Sequence, residues 1–175
     1  MRTRSSGAAL WVVSRHPDWS GEVVKLLRTR FRAPEFPPGE AEAVQEALVS
    51  LCGSSETQKM MSDALDGAKQ QRLFLLDTMD QCAVKELPSL WTEKLRGLLS
   101  GKHAAVRARV IALVRSRQIT ALDDEMEQLS ASEREPSELR AAALGVLVSR
   151  RPTVSESGFR FLLSLLRPDT DAGLR

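Results

Sequence analysis

Apolar residues return along the chain at the spacing of a helix face. Val106, Val110, Leu113 and Val114 stand at i, i+4, i+7 and i+8, which collects them on one side of a helix with about 3.6 residues per turn. Leu139, Ala143, Leu144 and Leu147 form a second such stripe, and both stripes are predicted to be buried between adjacent helical pairs. Polar punctuation cuts the periodic stretches short. Pro17, Pro37, Pro38, Pro88, Pro136, Pro152 and Pro168 fall between them, where a missing N–H costs least. Gly53, Gly67 and Gly101 fall where a left-handed residue after a helix end is expected. The pattern predicts helices over residues 6–15, 19–32, 39–51, 55–66, 69–82, 89–99, 103–116, 120–130, 137–149 and 155–166. Ser54 or Ser55, Thr120 and Ser155 stand where N-caps are needed, and Ser132 with Glu135 has capping-box spacing. The one irregular stretch of note, 33–39, separates the first and second helical pairs.

A short phrase recurs within this pattern: Gln71-Arg72-Leu73-Phe74-Leu75-Leu76, then Val106-Arg107-Ala108-Arg109-Val110-Ile111, then Leu139-Arg140-Ala141-Ala142-Ala143-Leu144. Its arginines, Arg72, Arg107 and Arg140, lie 35 and 33 residues apart, and Leu174-Arg175 falls 35 residues after the last. A period of that length is the mark of stacked helical repeats, in which each hairpin hides its apolar faces only against its neighbours. The expected fold is all-α: an α-α superhelix, or solenoid, of about five helical hairpins forming one domain over residues 1–175. The marker arginine precedes the most apolar turn of each repeat, so its expected partners are loop carbonyls or an acid of a neighbouring repeat. Because the phrase restarts at Leu174-Arg175, the chain reads as a segment of a longer array. The outer face of its last hairpin, around Phe159, Leu162, Leu163 and Leu166, is then expected to be partly uncovered.

Composition agrees with this. Of the residues, 42% are hydrophobic, 27% charged and only 5% aromatic, with no Tyr, and the abundance of Ala, Leu, Arg and Glu favours helix over strand. The longest apolar runs, such as Ala8 to Val13, are far below the roughly 20 residues of a membrane span. Net charge is only +2 but unevenly spread. Residues 1–32 and 102–117 are basic, whereas residues 120–138 carry Asp123, Asp124, Glu125, Glu127, Glu133, Glu135 and Glu138 against Arg134. Neighbouring patches of opposite sign imply mutual neutralisation more than a nucleic-acid footprint.

Pro136-Ser137-Glu138-Leu139-Arg140-Ala141-Ala142-Ala143-Leu144-Gly145-Val146-Leu147 resembles the first helix of a HEAT repeat, in which an x-x-L-R-x-x-A-L-x-x-L phrase follows a proline. Three further stretches also resemble the HEAT-like segment of large multidomain proteins from planctomycete-type bacteria, described as membrane-bound dehydrogenases or haem-binding proteins. They are Ala9-Leu10-Trp11-Val12-Val13-Ser14-Arg15-His16-Pro17-Asp18-Trp19, Leu87-Pro88-Ser89-Leu90-Trp91 and Phe161-Leu162-Leu163-Ser164-Leu165-Leu166-Arg167-Pro168-Asp169. That resemblance implies an extracytoplasmic scaffold between a dehydrogenase-like propeller and a cytochrome c domain. It carries no haem site onto this chain, because a c-type haem needs Cys-x-x-Cys-His and neither Cys52 nor Cys82 has those neighbours.

Candidate chemistry is sparse. The chain has no Gly-x-Gly-x-x-Gly, no Gly-Lys-Ser/Thr phosphate loop, no His-Glu-x-x-His and no Gly-x-Ser-x-Gly elbow. His16 and His103 each sit beside a helix boundary, and Cys52 and Cys82 read as buried free thiols. Asp123, Asp124, Glu125 and Glu127 lack the turn glycine and ligand spacing of a calcium loop, and read as a solvated helix start that suits the dipole. Trp11, Trp19 and Trp91 read as core. The candidate binding surface is basic: Arg28, Arg30 and Arg32, with Arg107 and Arg109. The function expected from these features is a non-catalytic scaffold for protein partners or flanking domains, with no cofactor, no metal and no membrane insertion in this segment. The alternative is a nucleic-acid-binding HEAT-like protein of the DNA glycosylase type. That reading needs basic residues at matching positions in successive repeats, and Glu40, Glu42 and Glu46 make the second helical pair acidic.

Overall fold

The computed structural model describes residues 20–31, 39–151, 153 and 155–165. Within them the chain is all-helical, with nine α-helices, one 3-10 turn and no strand. The helices are α1 (Ser20–Arg30), α2 (Ala41–Leu51), α3 (Ser55–Ala64), α4 (Lys69–Gln81), α5 (Ser89–Leu99), α6 (Ala104–Ser116), α7 (Asp123–Ala131), α8 (Ser137–Val148) and α9 (Glu156–Leu165), with the 3-10 turn Thr120–Leu122 leading into α7. Each falls within a few residues of its predicted range. The predicted helix 6–15, the loop 33–38, Trp11, Trp19 and His16 lie outside the described residues.

The chain divides into two compact units, Met1–Leu95 and Arg96–Arg175. In the first, α1 packs on α3, α2 on α4, and α3 on α4. Leu27, Val44, Leu48, Met61, Leu75 and Met79 fill the space between them. Trp91 on α5 is fully buried, and its Nε1–H donates to the Gln58 carbonyl at 2.8 Å, which satisfies the polar edge that burying an indole would otherwise strand. Gln71 is also buried. Its amide nitrogen donates to the Phe31 carbonyl at 3.1 Å, while its oxygen accepts from the Ala68 N–H at 3.2 Å, so one side chain ties the start of α4 to the end of α1.

In the second unit α6 packs on α8, α7 on α8, and α9 on α7. Val106, Val110, Leu113, Leu139, Ala143, Leu144 and Leu147 are all buried, as the two stripes require. Leu144 continues into a cluster with Phe161 and Leu165 of α9. The opposite face of α9 is open: Phe159, Leu162 and Leu163 are 56%, 37% and 50% exposed. Leu166 and the restarted phrase Leu174-Arg175 lie outside the described residues.

Several punctuation marks work differently from the expectation. The left-handed positions among the described residues are Gly39, at φ +80°, and Gln118, at φ +53°, not Gly53, Gly67 or Gly101. Gly67 and Gly101 instead close their helices through N–H bonds to the Ala64 and Leu98 carbonyls at 3.0 and 3.1 Å. A Cβ at either position would stand 3.0 Å from that same carbonyl oxygen, so what these sites require is close approach, not a positive φ. Gln118 ends α6: its N–H donates to the Arg115 carbonyl at 3.3 Å, and Ile119 N–H reaches the Val114 carbonyl at 3.0 Å. These two bonds are those of a Schellman turn with glutamine in the usual glycine position. Ser155 caps α9 by accepting from the Gly158 N–H at 3.2 Å. Ser54 occupies the N-cap of α3 without a side-chain bond to the helix. Thr120 opens the 3-10 turn and does not cap α7, whose N-cap is Leu122. Ser132 and Glu135 form a backbone turn at 3.1 Å in place of a capping box, because Ser132 is the C-cap of α7 and α8 does not begin until Ser137.

Candidate binding surface

The predicted basic residues fall in both units. Arg28 is exposed on α1 and, with Phe31, Met60, Asp63 and Ala64, lines a shallow groove of about 270 Å³. Arg30 lies 3.1 Å from the Glu40 carboxylate, which is itself buried. Arg32 lies outside the described residues. Arg107, with its side chain 13% exposed, is 2.7 Å from Glu135. Arg109, two residues further along α6, is half-buried and points to a different side of the helix, since i and i+2 do not face one another. Arg30 and Arg107 are therefore already matched to acids.

The marker arginines share one kind of work. Arg72 donates to the Asp66 carbonyl at 3.3 Å, Arg107 pairs with Glu135 ahead of the next repeat, and Arg140 donates through Nε to the Ser130 carbonyl at 3.1 Å. Arg140 also lays its guanidinium 4.0 Å above the centroid of the Phe161 ring, a cation–π contact with the next helix. Arg72 and Arg140 thus hold backbone carbonyls that the helix ladder leaves free, and Arg107 holds a carboxylate.

The acidic run is a correction to the sequence reading. Asp123, Asp124 and Glu125 do open α7, where the helix dipole favours them, yet three of the four acids are paired and not simply solvated. Glu125 bonds Arg96, which also donates to the Ala121 carbonyl at 3.1 Å. Asp123 bonds Arg150, and Glu127 bonds Arg151. The hydrogen bond to Glu127, then its charge, push the Arg151 guanidinium above its ordinary pKa. Arg150 is the most enclosed of these cations, its side chain only 8% exposed. It donates to the Val114 carbonyl at 2.6 Å, the Ile119 carbonyl at 3.2 Å and the Gln118 side-chain oxygen at 3.3 Å, as well as to Asp123. One guanidinium thus fastens the end of α6, the Schellman turn and the start of α7 to the end of α8. The sequence signal for it is small: Arg150-Arg151 follows α8, one helix beyond Asp123 and Glu127, an i, i+4 acidic pair.

Cys52 and Cys82 are buried free thiols. His103 stands exposed at the N-cap of α6. Among the described residues no group of three His, Cys, Asp or Glu could hold a metal ion, and no helix is long and apolar enough to cross a membrane. A groove of about 520 Å³ lies in the second unit, lined by Ala108, Ile111, Ala112, Arg115, Ser116 and Gln118 with Ala142 of α8. Comparison with known proteins finds no family model, curated protein or solved structure that matches the chain.

Proposed function

We propose that the chain is a non-catalytic HEAT-like scaffold, a superhelix of about five hairpins that binds a protein partner or holds neighbouring domains. The observation that carries this reading is the use of one arginine per repeat, Arg72, Arg107 and Arg140, to bond an adjoining segment. A residue that returns at a near-fixed interval for one structural purpose marks a unit of architecture, and such units stack into extended surfaces that serve recognition. Packing of a helix on the one two positions further along, as α1 on α3, α2 on α4, α6 on α8 and α7 on α9, supports it within each unit. The resemblance noted above supplies one form of the role, a link between a dehydrogenase-like propeller and a cytochrome c domain. In-cell cross-linking followed by mass spectrometry is the test, and a stoichiometric protein partner is the expected result. The nucleic-acid alternative is disfavoured because Glu40 and Glu135 take up Arg30 and Arg107. Tight duplex binding at physiological salt, weakened by Arg28→Glu, would replace the scaffold reading with that alternative.

A further inference from the structure

Building on the partner-binding reading, we propose that the groove between α6 and α8 takes an acidic, helix-forming peptide segment of a protein partner. Its floor is Ile111, which is almost fully buried, and its sides include Ala108, Ala112 and Ala142, whose methyl side chains let the occupant's backbone come close. One end carries Arg115, Ser116 and Gln118. Arg115 is exposed and stands on a firm rim, because its own carbonyl accepts from both the backbone N–H and the side-chain amide of Gln118, at 3.3 and 2.8 Å.

The charge of the occupant follows from what surrounds this groove. Among the residues that line it the charged one is Arg115, and none is an acid. Arg107 is matched by Glu135, but Arg115 has no ion pair among the described residues, and α8 contributes a single acid, Glu138, one turn before Ala142. An apolar occupant would cover the Arg115 charge without pairing it, which costs free energy. A carboxylate at that end pairs it and fixes the occupant's direction.

The test uses the full chain and two labelled peptides: an amphipathic helix of Glu, Ala and Leu, and its counterpart with Lys in place of Glu. At low salt the Glu peptide is expected to bind about tenfold tighter than the Lys peptide, to lose about tenfold on Arg115→Glu, and to be excluded by Ala142→Trp. Both substituted positions are exposed, and an unchanged far-UV spectrum checks that the variants fold. Equal affinity for the two peptides, or binding by neither, overturns the proposal. So does duplex DNA binding more tightly than the Glu peptide. Glu-peptide binding untouched by both variants overturns the groove assignment while leaving the partner-binding reading standing, whereas failure of that reading shows separately as the absence of any cross-linked protein partner.

Discussion

Arg150 gathers two backbone carbonyls, one amide oxygen and one carboxylate onto a guanidinium that is nearly withdrawn from water. Its removal leaves Asp123, 17% exposed, without its main partner, and breaking such a pair from one side costs on the order of 3 kcal/mol. Urea unfolding of Arg150→Ala is expected to show that loss, with Arg150→Lys recovering only part of it, since an ammonium cannot reproduce the fork. Unchanged unfolding would mean that these contacts add nothing. Thr57 supplies the opposite case. Its hydroxyl is buried and unpartnered among the described residues, so Thr57→Val, nearly the same shape, is expected to be neutral or stabilising by about 1 kcal/mol in the same assay. Leu144, buried against Phe161 and Leu165, is expected to cost about 2 to 5 kcal/mol on truncation to Ala.

At the scale of the element, the glycines separate two roles that one letter hides. Gly53 has open space around an added Cβ and no positive φ, so Gly53→Ala is expected to be neutral or to stabilise by about 0.4 to 1 kcal/mol. At Gly67 a Cβ would meet Gln71 Oε1 and press on the Ala64 carbonyl, disturbing the side chain that ties α4 to Phe31. Gly67→Ala is therefore expected to lower the unfolding midpoint, and a result opposite for the two glycines would contradict the geometry. Helix positions were legible in the sequence because period and punctuation agree there, as around Val106 to Val114. Helix ends were less so: Gln118 takes the left-handed turn that sequence assigns to glycine, held by Arg150 from 32 residues away, and no local pattern announces such a partner. The candidate surface was legible only as a list of cations. Whether Arg30 and Arg107 stay free depends on Glu40 and Glu135, which are close in space and not predictable from charge runs.

At the scale of the whole molecule, the open apolar face of α9 and the arginine-marked repeats have separate consequences. Phe159, Leu162 and Leu163 form a surface that favours association, so Leu163→Glu is expected to reduce self-association in sedimentation without lowering the unfolding midpoint. Loss of stability in that variant would show the face to be core. The central claim is that the repeated arginine is architectural. Its most direct test is equilibrium unfolding of Arg72→Met, Arg107→Met and Arg140→Met in the intact chain, each of which abandons an oxygen that the guanidinium now holds. Arg107→Met and Arg140→Met are each expected to lose about 1 to 3 kcal/mol with helix content retained, and Arg72→Met less, because its bond to the Asp66 carbonyl is exposed to water; three variants as stable as the parent would contradict the claim.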